Sequence, residues 1–206
     1  MSKSNLDNRL ASIYTSGDHK QDHYDKWADT YEKDLIVDMG YVAHREVVNH
    51  ATRIFKDKEA HVLDMGCGTG LAGEELRNAG YKNIDGADFS EEMLSKARDR
   101  SVYSNLIQYD AVSNEPQLVQ YDFMISVGLF GFGPPHLEHL PHVMSILKPG
   151  HECLITINGK AWIDKKLEPV LEEVLAKNSF ELLHLHTIDY ITQQNIDAKL
   201  LHLKSS

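Results

Sequence analysis

Short apolar runs alternate with amphipathic stretches from about residue 61 to the end of the chain, which predicts an α/β fold. Five of the runs are continuous and apolar, as expected of parallel strands that are covered on both faces. They are His61–Met65, Asn83–Asp88, Asn105–Tyr109, Tyr121–Ser126 and Glu152–Ile157. Because helical patterns separate these runs, we expect repeated β-α units that build a mostly parallel sheet.

Four helices are predicted between the strands, from the spacing of apolar residues and from capping residues. The Ser90 hydroxyl suits the N-cap of one helix, and Gly80 suits the left-handed C-cap of another. The predicted helices are about Leu71–Ala79, Glu91–Asp99, Pro134–Leu147 and Leu167–Leu175.

The two ends of the chain follow other patterns. Ser179–Ile191 and Ala198–Lys204 alternate apolar and polar residues, which predicts an antiparallel pair at one edge of a seven-stranded sheet. Residues 1–58 are polar, with aromatic residues at helical spacing, and are expected to form a helical cap. We assign this cap and residues 59–206 to a single domain.

Composition narrows the classes of partner. The 206 residues carry a formal net charge of −10, which disfavours nucleic acid and anionic membrane surfaces as partners. No stretch approaches the ~20 apolar residues that cross a bilayer, and the N-terminus lacks the apolar core of a secretory signal. The 2 cysteines suggest no disulfide framework, so a cytoplasmic setting is expected.

The sharpest chemical signal is the segment Val62–Gly70, in which a buried strand leads into three alternate glycines and then a helix. Gly66, Gly68 and Gly70 permit a tight turn that brings backbone N–H groups close to a ligand. The N-terminus of the following helix favours a carboxylate or a phosphate. Such a turn by itself is shared by proteins that bind nicotinamide, flavin and adenosylmethionine.

Acidic residues near the strand ends narrow this choice. Asp88 ends the second strand, where a carboxylate can accept hydrogen bonds from both ribose hydroxyls and repels a 2′-phosphate. Asp110 and Ala111 follow the third strand, in a position that suits recognition of the adenine amino group. Asp64 lies just before the turn, and an acid there suits a cationic ligand group better than a pyrophosphate.

Four segments together resemble the successive motifs of class I S-adenosylmethionine-dependent methyltransferases. They are Leu63–Gly70, Asp88–Leu94, Asp110–Ala111 and Leu147–Gly150. The run Tyr24–Tyr31 is further similar to the N-terminal signature of the Williams–Beuren syndrome methyltransferase-like subgroup. The resemblance implies S-adenosylmethionine as the cofactor. It also implies a Rossmann-like sheet in the order 3-2-1-4-5-7-6, with an antiparallel C-terminal hairpin and helices on both faces.

The resemblance also implies which residues contact the cofactor. Asp88 would hold the ribose, Asp64 would lie near the ammonium group, and Ser126–Val127 would pass beneath the methionine portion. Phe89 and Met93 would cover the adenine. The implied cofactor-binding residues are Tyr31, Asp64, Gly66, Cys67, Gly68, Asp88, Phe89, Met93, Asp110, Ala111, Ser126 and Val127. For Tyr31, core packing of an N-terminal helix is an equally good interpretation.

The methyl acceptor is expected outside the ends of the fourth and fifth strands. The predicted substrate residues are Tyr24, Phe130, Phe132, Asn158 and Trp162. His136 is the candidate general base, with an exposed loop histidine as the alternative interpretation. The segment Gly133–His136 lacks the Asn/Asp-Pro-Pro-Tyr pattern of the methyltransferases that modify amide or ring nitrogens, so methylation of nucleobase nitrogens is disfavoured.

These observations predict an enzyme that transfers a methyl group in line to a small-molecule acceptor. Its main tasks would be to place the nucleophile about 3 Å from the methyl carbon and to exclude water. Two alternatives stay open: a nicotinamide-dependent oxidoreductase, and a non-catalytic adenosylmethionine-binding module. The 12 histidines lack the spacing of a structural metal site, so no metal is predicted.

Overall fold

The computed structural model describes residues 30, 32–112 and 120–205, which form one seven-stranded sheet with helices on both faces. The strands are β1 His61–Met65, β2 Asn83–Asp88, β3 Asn105–Gln108, β4 Tyr121–Phe130, β5 Leu147–Asn158, β6 Glu181–Ile191 and β7 Ile196–Lys204. The helices are α1 Ala43–Ile54, α2 Leu71–Asn78, α3 Glu91–Asp99, α4 Leu140–Met144, α5 Gly159–Asp164 and α6 Leu167–Lys177. A π-helical turn covers Lys33–Asp38, and 3₁₀ turns cover Leu137–His139 and Thr192–Gln194.

The strand order β3-β2-β1-β4-β5-β7-β6 confirms the predicted topology. Strands β1 to β5 are parallel, whereas β7 runs antiparallel to both β5 and β6. The carboxyl end of β6 therefore lies at the same edge of the sheet as the carboxyl ends of β1 to β5. We call this edge the carboxyl rim, and it is where open α/β sheets bind ligands.

The central strands are buried on both faces, which explains their continuous apolar runs. Val62 and Leu63 are neighbours in β1 but belong to two different hydrophobic clusters, because successive side chains point to opposite faces. Helix α1 contributes Val47, Val48 and Ala51 to the cluster that contains Val62. This part of the predicted cap thus packs on the sheet, while the division between residues 58 and 59 stays a prediction.

The predicted helix Pro134–Leu147 is wrong at both of its ends, and its first helical residues form a 3₁₀ turn rather than an α-helix. The chain bends as far as His136, and only α4 within this segment is α-helical. Leu147 instead begins β5, where it pairs with Tyr121 of β4. Two consecutive prolines lack backbone N–H groups, and each disfavours a helical conformation in the residue before it, so the helix forms only after them.

His44, in the first turn of α1, links the stability of the fold to pH. Its side chain is 3% exposed and stacks on the Tyr41 ring with centroids 5.4 Å apart. Within the described ranges its Nδ1 atom has no hydrogen-bond partner. Burial, with a smaller contribution from Arg45, lowers the pKa of His44 from 6.5 to about 4. Between pH 6.5 and pH 4, His44 is protonated in the unfolded chain but stays neutral in the folded chain. The free energy of unfolding therefore decreases as the pH falls through this range.

We expect the change from pH 7.5 to pH 5 to cost the wild-type protein about 2 kcal/mol more unfolding free energy than it costs His44→Leu. Urea denaturation of both proteins at the two pH values measures this difference. The matched control is His151→Leu, which removes a histidine whose side chain is 41% exposed. The same pH dependence for wild type and His44→Leu would contradict the assignment.

Candidate active site

Three glycines form the turn that connects β1 to α2. Gly66, Gly68 and Gly70 have φ angles of +73°, +54° and +91°, in the left-handed region that favours glycine. The N–H groups of Gly66 and Cys67 donate to the carbonyl of Ala87 at 2.7 and 3.0 Å, which ties the turn to β2. A Cβ atom on Gly68 would meet no atom of the described chain within 4 Å, so a ligand can approach this part of the turn closely.

Asp88 ends β2 beside this glycine turn. Its Oδ2 atom accepts a hydrogen bond from the N–H of Gly68 at 2.9 Å, and its Oδ1 atom accepts one from the N–H of Ser90 at 3.0 Å. The Ser90 hydroxyl caps α3 by accepting from the N–H of Met93 at 3.2 Å, as predicted. The predicted ribose-binding acid therefore lies on the carboxyl rim, in contact with the turn.

The residues predicted for adenine recognition leave the sheet side by side. Asp88 pairs with Gln108 across β2 and β3, so Phe89 and Asp110 emerge from neighbouring strands at the same rim. Gln108 also donates through Nε2 to the carbonyl oxygen of Phe89 at 3.1 Å. Asp110 is exposed and Ala111 is buried. Together they can border one side of a flat ligand group.

Asp64 is buried in β1 beneath the glycine turn and is 1% exposed. Its Oδ2 atom accepts a hydrogen bond from the hydroxyl of Tyr103 at 2.8 Å, and the carboxylate also accepts from the backbone N–H of Gly73. Burial raises the pKa of Asp64 from 3.8 to about 7, the Asp88 carboxylate adds to this, and the two donors oppose it. A positively charged ligand group nearby would favour the ionised form.

The end of β4 adjoins the turn from the other side. Ser126 is fully buried, and within the described ranges its Oγ atom has no hydrogen-bond partner. Val127 is partly buried, and β4 extends beyond the predicted strand to Phe130. A Cβ atom on Gly66 would lie 3.1 Å from Cδ1 of Leu129, so this side chain packs on the turn.

A cavity of about 290 Å³ lies beyond the ends of β4 and β5. Its apolar lining includes Phe130, Pro135, Leu137, Ile157, Leu167 and Val170, and its polar lining includes His136, Glu138 and Lys165. Two of the predicted acceptor-site residues, Phe130 and His136, thus border one space. Phe132 lies nearby, with the ammonium group of Lys165 5.7 Å from its ring centroid.

The other predicted acceptor-site residues have different surroundings. Asn158 caps α5, because its Oδ1 atom accepts a hydrogen bond from the N–H of Ala161 at 3.1 Å. Trp162 is 7% exposed and belongs to the hydrophobic core. Neither is among the residues that border the cavity. Tyr24 and Tyr31 lie outside the described residues.

Comparison with known proteins identifies the family. Residues 62–150 match the family described as Methyltransferase domain. Human Methyltransferase-like protein 27 is 29% identical over 174 residues, which cover 81% of this chain and 70% of that protein. A Demethylmenaquinone methyltransferase from Leptospira interrogans is 27% identical over 185 residues, which cover 78% of this chain and 74% of that protein. The chain is a class I S-adenosylmethionine-dependent methyltransferase.

Solved structures share the fold of this methyltransferase. A putative methyltransferase from Haloferax volcanii, in complex with the Trm112 methyltransferase activator, superposes with a TM-score of 0.66 at 18% identity and covers 90% of this chain and 96% of its own. Magnesium protoporphyrin IX methyltransferase from Synechocystis PCC 6803, with bound S-adenosylmethionine, gives 0.57 at 17% identity and covers 98% and 92%. Because the family match and the relatives compared above are methyltransferases, we set aside the alternative of a nicotinamide-dependent oxidoreductase.

The cofactor of the methyltransferase is S-adenosylmethionine, and the residues at the turn fit its chemistry. The open side of Gly68 admits a ligand against the backbone, and Asp88 is a hydrogen-bond acceptor beside it. The buried Ser126 hydroxyl has no hydrogen-bond partner among the described residues, so it can form a hydrogen bond with a ligand. Two acids close to the turn suit a cationic amino acid better than a pyrophosphate.

Sequence reasoning missed two residues of the methyltransferase that hold the turn in place. Arg100 donates from Nε to the carbonyl of Thr69 at 2.7 Å and from Nη2 to Glu32 at 2.6 Å. The Tyr103 hydroxyl donates a hydrogen bond to Oδ2 of Asp64 at 2.8 Å. Both follow α3, away from the strand ends at which sites are sought. Their only sequence signal is indirect, in glycines such as Gly73 that make room for them.

No helix within the described ranges is both long and apolar enough to cross a membrane. No group of three or more His, Cys, Asp or Glu side chains there is arranged to hold a metal ion.

Proposed function

We propose that the methyltransferase methylates a small molecule bound in the cavity beyond β4 and β5. The observation that carries this proposal is the cavity itself, which lies at the carboxyl ends of β4 and β5 and is therefore part of the carboxyl rim. Its volume of about 290 Å³ is close to the lower end of the range for sites that bind small molecules. The net charge of −10 argues against an extended nucleic acid as the acceptor.

The cofactor is assigned to the rim on the other side of β4. In this proposal Asp88 binds the ribose, Gly66 and Gly68 line the amino-acid half, and Asp64 lies near the ammonium group. Phe89, Met93 and Asp110–Ala111 surround the adenine. When bound, S-adenosylmethionine supplies an electrophilic methyl group on a sulfonium.

The residues of the cavity then have two tasks. Phe130, Ile157 and Val170 exclude water from the reacting atoms, and their rigid packing orients the acceptor. His136 is exposed and borders the same space, so it is placed to take a proton from an acceptor that must lose one. An acceptor with a free lone pair needs no such base.

Filling the cavity should separate acceptor binding from cofactor binding. We expect Val170→Trp to lower methyl transfer at least 100-fold, while the affinity for adenosylhomocysteine changes less than twofold, because an indole occupies much of the cavity. Formation of adenosylhomocysteine is measured against a panel of phenols, carboxylic acids, thiols and amines, and binding is measured by calorimetry. The matched control is Glu172→Trp, an exposed position on the same helix α6.

Each other outcome has a definite meaning. Unchanged turnover in Val170→Trp would show that the acceptor binds elsewhere. Activity on a protein or an RNA, with none on any small molecule, would replace the proposed acceptor class. Retained adenosylhomocysteine binding with no product from any acceptor would favour a non-catalytic binding module.

A further inference from the structure

Tyr103 occupies a slot under the glycine turn that three glycines leave open. A Cβ atom on Gly73 would lie 2.2 Å from its hydroxyl oxygen. Cβ atoms on Gly86 and Gly70 would lie 3.0 and 3.1 Å from its ring carbons. These glycines come from α2, from β2 and from the turn itself, so the tyrosine ring touches all three parts of the cofactor site.

The position of Tyr103 is fixed from outside the slot as well. The preceding carbonyl, that of Val102, accepts hydrogen bonds from two nitrogens of Arg77 in α2, at 3.2 Å from Nε and 2.5 Å from Nη2. Arg100, three residues earlier, is tied to the carbonyl of Thr69 in the turn. The connection between α3 and β3 is thus anchored to both α2 and the turn.

The Tyr103 hydroxyl donates to Oδ2 of Asp64 at 2.8 Å, in a region from which water is nearly excluded. The other titratable groups that act here are Asp88 at the end of β2 and Cys67 in the turn. Asp88 disfavours a negative charge on Asp64, whereas the tyrosine donor favours it. Burial holds the pKa of Tyr103 well above its ordinary value, so the hydroxyl keeps its proton and stays a donor.

We propose that Tyr103 is a positioning residue of the cofactor site, which favours the ionised form of the Asp64 carboxylate and thereby sets the pH range in which the cofactor binds. This inference rests on the proposed placement of the cofactor's ammonium group near Asp64. A cation nearby binds best to the ionised acid, so loss of the tyrosine donor should weaken binding mainly where the acid would otherwise be protonated.

The test compares Tyr103→Phe with the wild-type protein, using adenosylhomocysteine as the probe and calorimetry from pH 6 to pH 9. We expect the variant to bind about tenfold more weakly at pH 7, the size expected for a hydrogen bond to a charged group. The difference should shrink to less than about twofold at pH 9, where Asp64 is ionised in both proteins. Titration of the ligand's own amine is common to both proteins and cancels in the ratio.

Two further variants sharpen the comparison. Tyr81→Phe is the matched control, because the Tyr81 hydroxyl is also buried but donates to the carbonyl of Phe55 at 2.6 Å. Its affinity should equal that of the wild type at every pH. Gly73→Ala should reproduce the pH-dependent loss, because the added methyl group takes the place of the Tyr103 hydroxyl. This loss of affinity is expected although alanine stabilises a helix by about 1 kcal/mol relative to glycine.

An equal loss of affinity at every pH, or no loss at all, would overturn the proposal, since a purely structural tyrosine gives one of these results. If neither variant folds, the wild-type protein decides. Calorimetry at pH 7 in buffers of different ionisation enthalpy should detect release of about half a proton on binding, and its absence would also overturn the proposal. Failure of the wild type to bind adenosylhomocysteine at any pH would instead refute the cofactor placement itself.

Discussion

Replacement of Asp88 with alanine is expected to weaken the binding of adenosylhomocysteine at least 100-fold. Two hydrogen bonds from the ribose hydroxyls to a carboxylate would be lost, each worth about 1.5–3 kcal/mol. The N–H groups of Gly68 and Ser90 would also lose their common acceptor, which loosens the turn and the start of α3. Calorimetry with the purified variant measures the loss.

The control for Asp88→Ala is Asp122→Ala. Asp122 also accepts a backbone hydrogen bond, from the N–H of His61 at 2.8 Å, but it lies at the amino end of β4, across the sheet from the carboxyl rim. Its loss should change stability and leave ligand affinity unchanged. An analogue that lacks the ribose 2′-hydroxyl should bind the wild type more weakly than adenosylhomocysteine does, whereas Asp88→Ala should bind the two about equally. Undiminished discrimination in the variant would contradict the assignment.

The parts of this protein that the sequence predicts well are those with local causes. Strands β1 and β2 have the predicted bounds, because strands covered on both faces read as continuous apolar runs. Helix α3 begins after Ser90 as predicted, since its N-cap is made by neighbouring residues. The glycine turn is equally local, because its geometry depends on residues that tolerate positive φ.

The parts that sequence reasoning missed depend on contacts between distant segments. The hydrogen bond between Tyr103 and Asp64 joins residues 39 positions apart, and no spacing rule relates them. The apolar residues of the predicted helix Pro134–Leu147 have helical spacing, but the last of them, Leu147, pairs with β4 as the first residue of β5. Trp162 follows the fifth strand as an acceptor-site aromatic residue would, yet it packs in the core. The acceptor stays a proposal because its cavity is bordered by several separate segments of the chain.

Asp64→Asn is expected to stabilise the protein while it impairs cofactor binding. The pKa of Asp64 is raised in the folded state from 3.8 to about 7, so the folded protein resists ionisation that the unfolded chain accepts freely. The free energy of unfolding therefore falls as the pH rises from about 4 to 7, and above pH 7 the total loss has an upper limit of about 4 kcal/mol. Asparagine carries no charge, and its side-chain oxygen can still accept the hydrogen bond from Tyr103.

Urea denaturation should find Asp64→Asn about 2–4 kcal/mol more stable than the wild type at pH 8 and nearly equal to it at pH 4. At pH 8 the same variant should bind adenosylhomocysteine at least about tenfold more weakly, because the acid that faces the cation is gone.

The control variant, Asp122→Asn, should lose stability at pH 8 instead of gaining it, since Lys148 lowers the pKa of Asp122 and the charge of Asp122 stabilises the fold. If Asp64→Asn lost stability at pH 8, the acid would be a structural group. If it gained stability and kept full affinity, the acid would not face the cofactor. A gain in stability together with a loss of affinity is expected of a residue kept for binding at the expense of stability.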